Sequence, residues 1–363
     1  MYNLSGAPKI SKKPVALIVV LGIIHTENLP TGQLNTQILQ VLCARTQMDD
    51  DIIAFLEKRL GRLHARQRLG IETAAEPKVF GGGINFFHPE NWYSSYAFVR
   101  YSLKLSGLYW RGQKNTFKFQ LKHHEIFLAN LPEDFDGFRI LHLSDLHVDM
   151  NQEVTRELAN RVQDLEYDIC VLTGDYRALT FGSIDGTLEG MQTLYNKLRN
   201  PVYGILGNHD SIRLVPGLES LGIQMLLNES KTLTRNNTQI HLAGIDDPHY
   251  FRVDNIHKAA HDIPHTATSI LLSHTPEIYK QAAHADFDVM LCGHTHGGQI
   301  CLPGGIPLTL DAKCPRYMGS GPWKYHNMIG YTSAGAGTSI VNVRLNCPPE
   351  ITIHTLRCKT PAQ

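Results

Sequence analysis

The sequence lacks an apolar run that could cross a bilayer as a helix. Its longest run, Val15–Ile24, has ten residues and follows Lys12 and Lys13, whereas a membrane-spanning helix needs about 20. We interpret this run as a buried strand or the start of a helix. A signal-peptide core is the less favoured interpretation, because no convincing small-residue cleavage site follows it.

The chain also lacks an excess of charge and any paired-cysteine motif. Lysine plus arginine and aspartate plus glutamate both number 34, so nothing favours nucleic acid or another polyanion as the main partner. The seven cysteines include no CxxC pair, which argues against a disulfide framework or a zinc knuckle and is typical of a reducing compartment. In contrast, the 363 residues are 42% apolar, which is enough to bury a large core.

The first 115 residues differ in composition from the rest of the chain. Asp51–Arg68 is predicted to be one helix with an apolar face and a cationic face. The cationic face carries four arginines: Arg59, Arg62, Arg66 and Arg68. Such a helix can be solvated and packed on the main domain, or it can lie on a membrane surface, since an aromatic-rich stretch follows over residues 86–110. We therefore expect a helical, aromatic-rich accessory region over residues 1–115.

From Thr116 onward, short apolar runs alternate with amphipathic helical stretches, a pattern typical of an α/β fold. The predicted strands are Phe117–Leu121, Glu125–Leu128, Arg139–Leu143, Ile169–Thr173, Val202–Leu206, Ser269–Leu272 and Val289–Cys292. Helices are expected between several of them, on the spacing of apolar residues in 154–165, 188–198 and 277–283. The sequence thus predicts an α/β domain over residues 116–363.

Five of the predicted strands are followed by polar residues of a recurring type. These residues are Asp145 and His147, then Asp175, then Asn208, His209 and Asp210, then His274, then His294 and His296. In α/β proteins ligands collect at the carboxyl ends of strands, so tips far apart in sequence can meet at one site. Imidazole and carboxylate groups are ligands for zinc, manganese and iron. The pattern therefore indicates a metal site.

Several other residues have plainer interpretations. His123, His124, His142, His241 and His354 are expected to be ordinary structural residues. The sequence shows no GxSxG or Cys-His arrangement around Ser273 or Cys292 that would indicate a protein nucleophile. Arg177 and the polar group from Asp246 to Tyr250 are weaker candidates for substrate contact, with loop or turn structure as the alternative.

The ordered set of motifs resembles the signature of the calcineurin-like metallophosphoesterases, in which DxH, GD, GNH[DE], a lone His and GHxH follow one another. The match covers roughly Arg139–Gln299. The GHTHGGQI sequence from Gly293 further resembles a bacterial branch with membrane-associated phosphodiesterases and UDP-diacylglucosamine pyrophosphatases. The resemblance implies a four-layer sandwich of two mixed β-sheets flanked by helices, preceded here by the N-terminal extension.

The resemblance also implies a role for each residue of the set. Asp145, His147 and His296 would bind one metal ion. Asn208, His274 and His294 would bind a second, and Asp175 would bridge the two. His209 would protonate the leaving oxygen or stabilise charge on the phosphate, and Asp210 would orient His209 or cap a helix. The two ions would be Mn, Fe or Zn, because the same nitrogen and oxygen ligands suit all three.

The expected activity is hydrolysis of a phosphoester or pyrophosphate bond by in-line attack of a hydroxide that bridges the metals. A phosphodiesterase is favoured. A phosphomonoesterase, a protein phosphatase and an inert scaffold of the same fold stay open. The substrate is expected to be a phosphate ester, lipid-linked or nucleotide-linked, in a cytoplasmic bacterial protein that contacts the inner membrane peripherally if residues 1–115 face lipid.

Overall fold

The structure is a computed structural model that describes residues 49–74 and 93–359. The predicted element at Val15–Ile24 lies outside these residues, as does much of the aromatic-rich stretch. Residues Ile52–Gln363 form one compact unit. Among the residues that the structure describes, no helix is long and apolar enough to cross a membrane. The six cysteines located in this part are free thiols.

Nine helices and fourteen strands can be assigned in the described residues. The helices are α1 (49–60), α2 (Arg62–Ala74), α3 (Tyr93–Leu105), α4 (Leu108–Asn115), α5 (Gln152–Val162), α6 (Asp185–Tyr195), α7 (Val215–Leu221), α8 (Ile256–Ala260) and α9 (Tyr279–His284). The strands are β1 (Gln120–Leu128), β2 (Arg139–Leu143), β3 (Ile169–Leu172), β4 (Val202–Gly204), β5 (Ile223–Met225), β6 (Glu229–Arg235), β7 (Thr238–Gly244), β8 (Ser269–Leu272), β9 (Val289–Cys292), β10 (Cys301–Leu302), β11 (Ile306–Pro307), β12 (Gly321–Tyr325), β13 (Met328–Thr332) and β14 (Glu350–Cys358).

Twelve of the strands form two six-stranded mixed sheets. The first has the order β1-β14-β2-β3-β4-β5, in which β2 to β5 are parallel and β14 runs antiparallel to β2. The second has the order β12-β13-β9-β8-β7-β6, with β13, β9, β8 and β7 parallel and an antiparallel strand at each edge. Each sheet therefore presents a block of parallel strands whose carboxyl ends lie at one edge.

The apolar side chains divide into layers because neighbouring residues of a strand point to opposite faces. Ile140 of β2 packs between the sheets with residues of both, including Ile270 of β8. Leu141 of β2 packs on the other side against the helices, where Val162 of α5 lies. Leu271 of β8 faces a separate helix-covered core. The order helix, sheet, sheet, helix is the four-layer sandwich that the family resemblance implied.

The prediction of one long helix near the N-terminus was wrong. Asp51–Arg68 is not a single helix, since Gly61 adopts a left-handed φ of 88° between α1 and α2. The four arginines also do not share one exposed cationic face. Arg68 is fully buried, and Arg59 is bound to Glu219 and Glu229. Acidic residues distant in sequence, which no local pattern could reveal, bind both side chains: Glu219 and Glu229 for Arg59, and Asp246 for Arg68.

Several strand boundaries were also predicted wrongly. The strands predicted at Ile169–Thr173 and Val202–Leu206 end earlier, at Leu172 and Gly204. The two short strands expected at Phe117–Leu121 and Glu125–Leu128 are a single strand, β1, which pairs in parallel with β14 along its whole length. Pairing with a nine-residue partner keeps the intervening polar residues extended. The strands at Arg139–Leu143, Ser269–Leu272 and Val289–Cys292 have the predicted bounds.

Candidate metal centre

The seven side chains predicted as metal ligands lie at the carboxyl ends of five parallel strands, in two sheets that face each other. Asp145 and His147 follow β2, Asp175 follows β3, Asn208 follows β4, His274 follows β8, and His294 and His296 follow β9. None exposes more than 7% of its surface. Seven side chains that are spread from position 145 to position 296 therefore meet in one buried site.

One group of donors consists of Asp145, His147 and His296, whose ligand-type atoms all lie within 4.8 Å of one another. The Nε2 atoms of His147 and His296 are 3.1 Å apart, and the two rings are stacked with centroids 5.1 Å apart. His296 Nε2 lies 3.7 Å from Asp145 Oδ1. Two imidazole nitrogens and a carboxylate that converge in this way form a donor set that suits a divalent metal ion.

A second group consists of Asp175, His274 and His294, again with ligand-type atoms within 4.8 Å of one another. His274 Nε2 lies 3.2 Å from Asp175 Oδ2 and 3.3 Å from His294 Nδ1. The same His274 nitrogen is 3.0 Å from Asn208 Oδ1, so the amide oxygen joins this group.

Asp175 connects the two groups through one oxygen. Its Oδ2 is 3.2 Å from His274 Nε2 in the second group and 3.9 Å from His147 Nε2 in the first. This carboxylate therefore lies between the two donor groups and within reach of both.

Backbone carbonyls fix the orientation of two of the imidazoles. Nδ1 of His147 donates to the carbonyl oxygen of Arg177 at 2.6 Å, and Nδ1 of His274 donates to that of Thr173 at 2.7 Å. Because a carbonyl can only accept, Nδ1 of each ring carries a proton and Nε2 faces the site. Such second contacts are what orients metal-binding histidines in proteins.

The turns that carry the site are conformationally unusual. Five of the seven side chains sit on residues with left-handed φ: Asp145 (51°), His147 (40°), Asp175 (56°), His294 (73°) and His296 (50°). Non-glycine residues rarely adopt this region, and it persists where surrounding structure imposes it. Gly293 permits the close approach of two of these turns, because a Cβ there would overlap Ser144 Oγ and Asp145 Oδ2.

The electrostatics of the site favour bound positive charge. Burial opposes ionisation of Asp175, but His274 and His209 nearby hold the pKa of its carboxyl well below its usual range. Burial would lower the pKa of His274, yet Asp175 and Asp145 raise that pKa to about 10. Burial, followed by neighbouring histidines, holds the pKa of His294 well below its usual range. The carboxylates therefore attract a proton to His274 at a position that a metal cation would also satisfy.

His209 and Asp210 lie beside the donors and make different contacts. Nδ1 of His209 is 3.2 Å from Thr180 Oγ1, and its ring centroid is 5.4 Å from that of His147. Both carboxylate oxygens of Asp210 accept hydrogen bonds from the backbone. The donors are the amides of Asp175, Tyr176, Arg177 and Gly207, at 2.8 to 3.3 Å. Asp210 thus ties together the loops that carry Asp175 and Asn208.

The sequence analysis did not single out Arg344. This fully buried side chain donates to the carbonyl oxygens of Gly335 and Gly337, and its Nη2 lies 3.4 Å from His296 Nδ1. The available signal was one arginine placed directly between two apolar residues, Val343 and Leu345. A charge between buried apolar neighbours indicates a specific buried partner.

The weaker candidates near Asp246 divide between structural and site-adjacent positions. The carboxylate of Asp247 accepts hydrogen bonds from the backbone amides of His249, Tyr250 and Phe251. Asp247 therefore has the turn-forming role that was the alternative to substrate contact. The ring of His249 packs beside that of His294, tilted by 48° with centroids 4.3 Å apart, and its Nδ1 lies 3.2 Å from Glu277 Oε2. His142 and His354 were expected to be ordinary structural residues. Both are fully buried, and His142 Nδ1 lies 3.2 Å from His354 Nε2.

Comparison with known proteins gives this arrangement a family. A family model for calcineurin-like phosphoesterases matches residues 138–298, a range that contains all seven candidate ligands. The uncharacterized metallophosphoesterase YkoQ of Bacillus subtilis is 33% identical over 227 residues, which cover 60% of this chain and 83% of YkoQ. The chain belongs to the calcineurin-like phosphoesterase family.

Two further proteins are similar over comparable lengths. Phosphodiesterase YaeI of Escherichia coli is 28% identical over 253 residues, covering 66% of this chain and 88% of YaeI. An uncharacterized metallophosphoesterase of Aquifex aeolicus is 29% identical over 262 residues, or 67% of this chain and 94% of the relative. The protein is accordingly a metal-dependent hydrolase of phosphoester bonds, and its histidine and aspartate groups are of the kind that hold divalent metal ions.

Proposed function

We propose that this metallophosphoesterase is a phosphodiesterase that hydrolyses phosphodiester or pyrophosphate bonds with two divalent metal ions. The position of Asp175 Oδ2, within 3.9 Å of His147 Nε2 and 3.2 Å of His274 Nε2, carries the proposal of two ions. Similarity to phosphodiesterase YaeI supports the diester preference. The specificity for a diester, the number of ions and the residue roles are all parts of this proposal.

Each ion has its own ligands in this proposal. Asp145, His147 and His296 hold the first ion. Asn208, His274 and His294 hold the second, and Asp175 contacts both. Bound there, the two ions would supply a nucleophile from water near neutral pH and stabilise negative charge on the phosphoryl oxygens. Mn, Fe and Zn all suit these ligands, so the donor set leaves the choice among them to metal supply.

His209 is assigned to the proton that the leaving oxygen needs. Its Nδ1 contacts Thr180, and the side chain lines the same cleft as Asp175 and Asn208. We assign proton delivery to this imidazole, a step that typically contributes a factor of about 10² to 10⁴ in rate. Asp210 contributes by holding the loops of Asp175 and Asn208 through backbone amides.

The cleft beside the donors favours a lipid-linked substrate over a nucleotide-linked one. It has a volume of about 450 Å³ and reaches from His209 and His294 to helix α3. Its apolar lining comes from Val99, Leu103, Ile300, Leu308, Ile340 and Val341. Ile340 is β-branched yet has a φ of 62°, the kind of backbone strain that surrounding structure maintains at binding sites. An apolar chain next to the scissile phosphate would bury against these residues.

The proposal extends to the accessory region, residues 1–115, which precedes the phosphoesterase domain at 116–363. Helices α3 and α4 contain four cationic residues and no acidic one. Tyr101, Leu105 and Trp110 on these helices are 63%, 89% and 59% exposed. Basic and exposed apolar side chains together suit peripheral contact with an anionic membrane surface, next to a cleft that α3 helps to line.

A comparison of two aryl substrates tests the proposed function. The hydrolysis rates of bis(p-nitrophenyl) phosphate and p-nitrophenyl phosphate are measured on Mn-loaded protein, on chelated protein and on the Mn-loaded His209→Ala variant. We expect metal-dependent turnover with preference for the diester and a loss of about 10² or more in kcat in the variant. Preference for the monoester would favour the phosphomonoesterase or protein phosphatase alternatives, and no turnover by protein that carries two ions would favour the inert scaffold.

A further inference from the structure

Helix α2 contains a charged side chain with a fully buried location. Arg68 is 0% exposed, its guanidinium carbon lies 3.2 Å from the centroid of the Phe251 ring, and Nε is 3.3 Å from Glu72 and 3.8 Å from Asp246. Burying a charge is costly unless opposite charges and hydrogen bonds compensate for it. Glu72 and Asp246 supply opposite charge and Phe251 supplies a ring face, while Nε and Nη1 make no hydrogen bond to the residues that the structure describes.

The hydrogen-bond target of Arg68 is the loop that carries two residues of the site. Nη2 donates to the carbonyl oxygen of Asp210 at 2.7 Å. Asp210 follows Asn208 and His209 directly, and its carboxylate binds the amides of Asp175 and Gly207. A displacement of the Asp210 backbone would therefore move both the loop of Asn208 and the loop of Asp175.

The next turn of α2 binds the same segment. Glu72 accepts a hydrogen bond from the backbone amide of Ile212 at 2.7 Å and another from Ser211 Oγ at 2.7 Å. One turn before Arg68, His64 Nε2 lies 2.8 Å from Asp246 Oδ2. Residues four apart share one face of a helix, so His64, Arg68 and Glu72 present one polar face to the loop and its neighbour Asp246.

We propose that this polar face of α2 is a positioning clamp, in which Arg68 and Glu72 hold residues 210–212 and thereby set the places of Asn208 and His209. The clamp lies outside residues 138–298, where the family model matches. It gives the N-terminal helices a role in the geometry of the site in addition to any membrane contact. The inference rests on the proposed roles of Asn208 and His209 in metal binding and proton delivery.

The test uses full-length protein and the variants Arg68→Met and Arg68→Lys, with Arg66→Met as the matched control. Arg66 is on the same helix, but its side chain is 58% exposed and pairs with Glu57. Calorimetric titration with Mn gives the number and Kd of the sites, and steady-state kinetics on the aryl diester gives kcat and KM separately. Urea unfolding checks that each protein is folded during the titration.

For Arg68→Met we expect the Kd of one of the two Mn sites to rise by about 10- to 100-fold, the usual effect of losing a group that supports a ligand. kcat should fall by a similar factor, with a KM change of less than about threefold. Arg68→Lys should recover part of both losses, because an ammonium can still donate to Asp210 but cannot stack on Phe251 as a guanidinium does. Arg66→Met should match the wild type.

Lower stability together with unchanged Mn Kd and kcat would overturn the clamp, because Arg68 would then be merely structural. If Arg68→Met does not fold, Mn binding and kcat are measured on Glu72→Gln and Arg68→Lys instead. Wild-type values of both quantities in both variants would also overturn the clamp. Failure of the proposed function gives a different result. Even if no protein turns over the diester, a selective loss of Mn affinity in Arg68→Met would support the clamp.

Discussion

At the scale of single residues, the account depends most on Asp175, whose Oδ2 approaches donors of both groups. Asp175→Asn removes the negative charge but keeps the shape of the side chain. We expect Mn stoichiometry to fall below two and the remaining affinity to weaken by more than about 100-fold, since loss of outer contacts alone costs 10- to 100-fold. Elemental analysis after gel filtration and calorimetric titration measure both quantities.

Asp164→Asn is the control for that variant, because Asp164 is exposed on the segment after α5. It removes the same charge from the chain without touching the site. Two tightly bound Mn ions in Asp175→Asn would contradict the bridging role. A second candidate donor group consists of His249, His294 and Asp311. Measuring Mn stoichiometry in an Asp311→Asn variant would then show whether the second ion lies there.

At the scale of elements, the turns after β2 and β9 must approach closely. Gly293→Ala places a Cβ against Ser144 Oγ and Asp145 Oδ2, so we expect the free energy of unfolding to fall by about 1 to 3 kcal/mol and Mn affinity to fall with it. Urea denaturation and Mn titration check the prediction. In Gly186→Ala, the new Cβ in α6 has its nearest neighbour 3.9 Å away, and there we expect unchanged or slightly higher stability.

Much of the centre could be predicted at this scale, because each donor follows an apolar strand and parallel strands bring their carboxyl ends together. Asp145, Asp175 and His294 are cases in which the motif and the strand end coincide. Arg68 could not be predicted, since its hydrogen-bond partner Asp210 is 142 positions away and the helix pattern around it indicated exposure. Arg344 likewise depends on contacts that only the folded chain creates.

At the scale of the whole molecule, buried neutral histidines predict lower stability in acid. Burial lowers the pKa of His142 to about 4, against an ordinary value of 6.5, and Glu350 opposes this only partly. Unfolded protein therefore takes up the proton first as the pH falls below 6.5. The stability due to neutral His142 is complete above that pH and is lost progressively down to pH 4, by about 2 kcal/mol between pH 7 and pH 5.

Urea unfolding of the wild type and His142→Asn at pH 7 and pH 5 checks this effect. The variant should lose less stability between the two pH values than the wild type does, and the difference isolates His142 from other groups that titrate in this range. His265→Asn, at an exposed position, should retain the wild-type dependence. Equal losses in all three proteins would contradict the prediction, because they would show that the pKa of His142 is the same in the folded and unfolded protein.

The sandwich of two sheets explains how the molecule gathers a centre from both halves of its phosphoesterase domain. β2, β3 and β4 of one sheet supply Asp145, His147, Asp175 and Asn208, while β8 and β9 of the other supply His274, His294 and His296. Neither sheet alone contains either complete donor group. We therefore expect metal binding to add to the unfolding free energy of the whole domain, since the folded state alone presents the site.

The most direct test of the central claim is anomalous X-ray diffraction from crystals of the protein grown with Mn. The account predicts two anomalous peaks, one among Asp145, His147 and His296 and the other among Asn208, His274 and His294, with Asp175 contacting both. A single peak, or peaks away from these seven residues, would contradict it.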